Sequence, residues 1–216
     1  MIPRTKKIFV PKIRHSNSIG SLIMTRLTGA LLVIALAFCG LSTVNAQEPM
    51  VIPPRLFIVT GGQTGVDRAA LDTALALFLP VRGWCPQGRL AEDGRISSIY
   101  PLQETNSEDV AVRTEWNVRD SNGTLILAFS ELAGGTLLTK QLANQYHRPS
   151  LVINALTFNP KDEIEFDRWI KANQIRILNI AGPRESSNPG VIYTHAYKIL
   201  HQLLEPFDQP TLSQTI

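Results

Sequence analysis

The chain has 216 residues, 44% of them hydrophobic, enough for one domain of ordinary size with a sizeable core and a short extra segment. Its net charge of +3 is unevenly placed: residues 1–46 hold six Lys or Arg and no acid, leaving 15 basic and 18 acidic side chains beyond them. That weakly acidic body excludes a nucleic-acid surface of the basic-stripe kind.

Residues 1–46 stand apart. Met24-Thr25-Arg26 precedes an apolar run over 27–41, followed by the polar stretch 42–47 with Val44-x-Ala46. A basic start, a short apolar core and small residues before a polar stretch make a secretory signal, with cleavage expected after Ala46. The run is marginal for a membrane span, so an uncleaved anchor is the alternative. Phe38 makes Cys39 a poor lipoprotein site. Residues 1–23 read as either a long basic n-region or an over-extended start with Met24 as initiator. Used as a signal, 24–46 implies a secreted or periplasmic protein; a misassigned N-terminus implies a cytoplasmic one. Cleavage leaves Cys85 alone, without an intramolecular disulfide.

After a linker over 47–55, residues 56–60 (LFIVT) read as an apolar strand that ends at Gly61-Gly62, and a helical pattern covers 66–78. Strand, glycine turn and helix point backbone N–H groups at an anion. A short strand over 81–85 precedes a long irregular stretch, 86–106, of the kind that carries function. Ser107 is the expected N-cap of a helix to about 118, with Glu108 and Asp109 in its first turn. Asp120-Ser121-Asn122-Gly123 is turn chemistry. A doubly apolar strand over 124–129 leads to Gly134-Gly135-Thr136 and a helix to about His147. A strand over 151–154, an amphipathic helix over 162–172 with Ile164, Trp169 and Ile170 inward, a strand over 175–180, a loop over 181–190 and a helix over 191–204 follow. Residues 205–216 read as a tail.

Strands alternating with helices predict an α/β, Rossmann-like, doubly wound parallel sheet of about five strands with helices on both faces, spanning 56–204. In such sheets ligands bind beyond the carboxyl ends of the strands. The loops 61–65, 86–95, 130–136 and 181–190 all fall there, so four loops build one site. Two glycine turns before helices favour a phosphate or similar small anion, and Thr64 and Thr136 supply hydroxyls. Arg89, Arg95, Arg113 and Arg184 sit in or beside the loops, where a planar guanidinium suits an oxyanion; Arg113 has the alternative of pairing with an acid such as Glu104. Asp67, Glu92, Asp93 and Asp120 are the nearby acids, and Asp67, Glu92 and Asp120 are the candidates for acid–base work. Asp67 equally suits the helix dipole. Cys85 is expected to be a buried small hydrophobe. His147, His195 and His201 lack ligand spacing, and no metal cage is expected.

The segments at 61–72, 83–94, 100–105, 113–127, 134–136 and 178–186, with Pro189-Gly190, together resemble the putative molybdenum carrier family, which is molybdenum cofactor carrier-like and lies within the Rossmann-like, lysine-decarboxylase-like superfamily. The resemblance implies a nucleotide-like or molybdopterin-like ligand (a molybdenum cofactor or a nucleotide) on Gly61, Gly62, Gln63, Thr64, Gly65, Gly134, Gly135 and Thr136. Arg89, Arg113 and Arg184 follow as anion-binding candidates. Asn122 and Gln87 depart from the expected pattern, each removing a charge. The related phosphoribohydrolases carry a Glu where Thr139 stands here, and a longer glycine run where Ala133 stands. The readings that follow are a cofactor carrier, a nucleotide-processing hydrolase, and a nucleotide sensor acting through a partner or a homo-oligomer formed by the helices.

Overall fold

In the computed structural model of the chain, residues 55–208 are described; the signal-like segment 24–46 lies outside them. Six parallel strands form the sheet: β1 (Phe57–Val59), β2 (Val81–Cys85), β5 (Leu102–Glu104), β6 (Gly123–Ala128), β7 (Ser150–Asn154) and β8 (Ile177–Ala181), in the order β5-β2-β1-β8-β6-β7. A separate antiparallel pair, β3 (Leu90–Ala91) and β4 (Gly94–Arg95), rises from the loop after β2. The Rossmann-like α/β architecture stands as expected, with one strand more in the sheet. Strand β5 was hidden because only Leu102 of its three residues is buried, so neither alternation nor an apolar run marks it. Its pairing with β2, Gly83 to Leu102 and Cys85 to Glu104, creates it.

Helices α1 (Val66–Ala76), α4 (Pro160–Ala172) and α5 (Ile192–Leu204) share the main core with Ile58, Leu125, Leu127, Leu178 and Ile180 of the strands. Helix α1 offers Ala69, Ala70 and Ala74, small enough for α5 to lie close. Val118 of α2 (Val110–Arg119) packs with Leu142 and Ala143 of α3 (Gly134–Gln145) in a separate cluster. A buried polar layer, Asn117, Thr124, Thr139 and Asn179, lies among these elements. Asn117 explains itself. Its Oδ1 accepts from Trp84 N at 2.8 Å and its Nδ2 donates to Trp84 O at 2.9 Å, completing β2 where β1 has already ended. Asn117→Ala would orphan both backbone groups, at about 1–3 kcal/mol for each.

Helix boundaries shifted for local reasons. Asp109, not Ser107, caps α2, accepting from Ala111 N at 2.9 Å, while Ser107 Oγ accepts from Asp109 N at 3.1 Å two residues earlier. Asn159 and Asp162 form a capping box that starts α4 at Pro160. On α4, Phe166 and Ile170 face the core and Ile164 is 60% exposed, correcting the stripe read from the sequence. None of the described helices is long and apolar enough to cross a membrane.

One carboxylate ties α1 to its neighbours. Asp72 accepts from Tyr100 OH at 2.7 Å and from Tyr193 OH at 2.8 Å. Burial and the Asp72 carboxylate push Tyr100 up to about 12, and the same two causes raise Tyr193. A phenol raised in the folded state contributes stability that is complete below its unfolded value of about 10 and is lost as pH climbs through the folded one. Phenolate absorbance is therefore expected to show Tyr100 and Tyr193 ionising late, alongside Tyr146, which its bond to Glu115 also raises, with alkaline unfolding. In Asp72→Asn Tyr100 and Tyr193 should titrate earlier; unchanged titration would refute the assignment.

Candidate functional site

Beyond the carboxyl ends of β1, β8 and β6 lies a cleft of about 430 Å³, the size of a cofactor pocket. It is lined by parts of the loops after those three strands, by the first turns of α3, and by Val110, Arg113 and Thr114 of α2. Of the predicted residues, Gln63, Asp67, Arg113, Gly134, Gly135, Thr136 and Arg184 line it. Gly61, Gly62, Thr64, Gly65, Arg89, Glu92 and Asp120 are not in its wall.

The second glycine turn is the open one. It is the first turn of α3 itself, and a Cβ added at Gly134 or Gly135 would meet none of the described residues within 4 Å. Gly134 holds φ 51°, a left-handed conformation that suits glycine. The N-cap of α3 is Ala133, which has no side chain to cap with, whereas Asp109 and Asn159 cap α2 and α4. Thr136 N and Leu137 N turn back to Ala133 O at 3.1 and 3.2 Å, whereas the N–H groups of Gly134 and Gly135, like the leading ones of any helix, have no acceptor among the described residues.

The first glycine turn is packed shut. A Cβ at Gly61 would overlap Arg113 Nη1; at Gly62 it would press on Leu102 and Ile96; at Gly65 it would strike the Pro183–Glu185 backbone. Thr64 Oγ1 is held between the Glu92 carboxylate, to which it donates, and Glu185 N, from which it accepts at 3.1 Å.

Arg89 is a structural cation. Its guanidinium donates to the carbonyls of Ile96, Leu102, Ser97 and Tyr100 at 2.8–3.1 Å, pinning the long loop. Arg113 Nη1 donates to Asp67 Oδ2 at 2.8 Å, so its carboxylate partner is Asp67; Glu104 instead accepts from Gly88 N at 2.7 Å. Arg113 Nε is buried without a partner among the described residues. Arg184 is 62% exposed and, among the described residues, pairs with Glu92 alone, at 3.5 Å.

The three candidate acids separate. Burial pushes the Asp67 carboxyl up, against the pull of Arg113 and the Gln63 N–H. Glu92 joins the β3–β4 hairpin to the loop after β8, accepting from Ser186 N at 3.0 Å and from Ser186 Oγ. Against the burial that raises it, hydrogen bonds from Ser186 and Thr64 and the Arg184 charge hold its carboxyl below the usual range. Asp120 lies at a separate recess with Arg82 and Trp84, bonded to Arg119 at 2.7 Å and Trp84 Nε1 at 2.8 Å; the Arg119 bond leads in lowering its carboxyl. Among the other residues singled out, Asp93 pairs with Arg68 at 3.2 Å. The Cys85 thiol is buried, bonded to Gln103 O and pushed up by burial. Among the described residues no three His, Cys, Asp or Glu come together as a metal set. Phe129, Ser130, Glu131, Leu132, Thr139 and Ser187 also line the cleft. Their place after β6 and β8 was the available signal, but their residue types alone did not single them out.

The fold and cleft define a Rossmann-like α/β protein with a ligand cleft at its strand ends. The chain belongs to the circularly permutated YpsA SLOG family, whose model matches residues 58–204. A solved structure, the putative molybdenum carrier protein from Syntrophus aciditrophicus SB, shares 44% identity over 70% of this chain and 96% of that one, with a TM-score of 0.67. No curated protein matches the chain. Both matches agree with the resemblance read from the loop segments. The strand order also fits a permuted winding: β8, last in the chain, lies between β1 and β6. Placing β8 and α5 ahead of β1 would make the sheet wind outward from β8 in both directions.

Proposed function

We propose that the cleft binds a small anionic, phosphate-bearing molecule and that the chain acts as a carrier for it, with a molybdenum cofactor of the molybdopterin type as the ligand class. One observation bears most of this reading: the open, uncapped start of α3 shares a cleft with the guanidinium-bearing Arg113 and the exposed Arg184. A phosphate would meet helix N–H groups and charge-assisted donors together. The name of the Syntrophus relative supports the molybdenum part. Because the described residues assemble no metal set, molybdenum would arrive with ligands of its own, and Arg113, Arg184 and the α3 N-terminus would hold the phosphate.

Calorimetry with a panel of phosphate monoesters and their dephosphorylated counterparts tests this. Arg184→Ala is expected to weaken monoester binding by about tenfold, since a charge-assisted hydrogen bond contributes roughly 1.5–3 kcal/mol before solvent screening at an exposed site. Equal affinity for ester and parent alcohol would refute the reading.

A second reading, hydrolysis of a nucleotide, has one observation in its favour: Asp67 places a carboxyl raised by burial on the cleft wall. It predicts release of base or phosphate from some nucleoside monophosphate, with and without Mg²⁺, and loss of that release in Asp67→Asn. Silence across the panel would end it. Export is a proposal of the same standing: a mature chain beginning at Gln47 supports it, and one retaining residues 24–46 in the cytoplasm refutes it.

A further inference from the structure

The glycines of the first glycine turn are not in the cleft wall, yet they bear on it. Gly61 lies directly under the Arg113 guanidinium: a Cβ there would overlap Nη1 and lie 2.5 Å from Cζ and 2.9 Å from Asp67 Oδ2. Asp67, in the first turn of α1 and 3% exposed, takes Arg113 Nη1 at 2.8 Å and is itself steadied by Gln63 N at 3.3 Å. Arg113 comes from α2, 46 residues away in sequence, and reaches the cleft over the bare Cα of Gly61.

We infer that Gly61 and Asp67 form a slot that positions the Arg113 guanidinium for an oxyanion in the cleft, so that Gly61 serves the ligand through Arg113 and not by touching it. The inference rests on the anion-binding reading for its ligand, and on packing alone for the slot. A guanidinium left loose on a helix would have several rotamers to choose from. Held at one nitrogen by a buried carboxylate and backed by a Cα, it keeps its remaining donors in one place, and positional fixing is what a preorganised anion site requires. Asp67 is a positioning residue in this scheme.

The charge of Asp67 supplies a test with an informative sign. A carboxylate on the wall of an anion site repels the ligand, so removing its charge should strengthen binding unless the carboxylate is needed to place Arg113. With pyrophosphate as the probe in calorimetry on the full chain, Asp67→Asn is expected to weaken binding by about tenfold or more. In an Arg113→Ala background the same change should bring no further loss. Stability gives an independent reading of the slot: Gly61→Ala should lower the denaturation midpoint strongly when Arg113 is present and distinctly less in Arg113→Ala, where only the 2.9 Å approach to Asp67 Oδ2 is left. Stronger pyrophosphate binding by Asp67→Asn, or an equal Gly61→Ala penalty in both backgrounds, would overturn the inference. A wild-type chain that ignores pyrophosphate would overturn the anion-binding reading and the ligand half of this inference, while the Gly61 and Arg113 stability comparison would still decide the slot.

Discussion

Substitution of Gly83 by alanine is expected to cost at least about 3 kcal/mol of folding stability, enough to leave little folded protein. Gly83 lies in the middle of β2, and a Cβ there would overlap the carbonyl oxygen of Thr60 and lie 2.9 Å from its nitrogen. The obstacle is backbone. Thr60 directly follows β1, which is held by β2 on one side and β8 on the other, and Thr60 N extends the ladder by donating to Arg82 O. No rotamer change can make room. Gly88 is the control: it has φ +78°, but an added Cβ meets only the flexible Leu90 side chain, at 3.5 Å. Its replacement by alanine should cost about 1 kcal/mol, from backbone strain alone. Urea denaturation of the two variants separates them, and a Gly83→Ala midpoint close to that of Gly88→Ala would refute the close-approach argument.

Arg113→Ala carries the second large effect. Asp67 is buried to 4% side-chain exposure and Arg113 to 16%, so removing the cation strands a carboxylate in the protein interior. Breaking such a pair from one side costs about 3–5 kcal/mol. The loss should depend on pH in a defined direction. Burial already raises the Asp67 carboxyl, and Arg113 is the leading influence opposing it; without Arg113 the carboxyl rises further. A carboxyl raised in the folded state leaves stability intact below its unfolded value, about 3.9, and drains it as pH climbs through the folded value. The gap between variant and wild type should therefore be small near that pH and widen toward neutrality. A gap independent of pH would mean that Arg113 stabilises by packing of its stem, not by pairing with Asp67.

The fold was legible because five of its strands are apolar runs bounded by turn residues, and the alternation of strands with helices dictates a parallel sheet. Strand β5 was not legible, since Leu102-Gln103-Glu104 becomes a strand only by pairing with β2. Three helix ends were equally silent. Phe78, His147 and Gln174 take left-handed φ near 50° without being glycine. Each closes its helix through the next residue: Leu79, Arg148 and Ile175 donate to the carbonyls of Ala74, Ala143 and Ile170.

At the candidate site the sequence located the loops correctly but not the direction in which each residue faces. The two glycine turns read alike, as glycine, glycine and a threonine close behind. Packing separates them: Gly61, Gly62 and Gly65 make room for Arg113, for Leu102 and for the loop after β8, whereas Gly134 and Gly135 have none of the described residues above them. Arg89 and Arg184 were likewise indistinguishable as loop arginines. Four backbone carbonyls surround Arg89, while Arg184 stands 62% exposed at the cleft. These differences come from contacts between segments far apart in sequence, which local pattern does not encode.

The most direct test of the central claim is native mass spectrometry of the full-length protein purified from its own host, followed by denaturation and identification of any released molecule. A stoichiometric phosphate-bearing ligand is expected, a pterin with molybdenum for a molybdenum-cofactor carrier, and its loss when Gly134→Val and Arg184→Ala are combined. A ligand without phosphate, or full retention in the double variant, would contradict the claim.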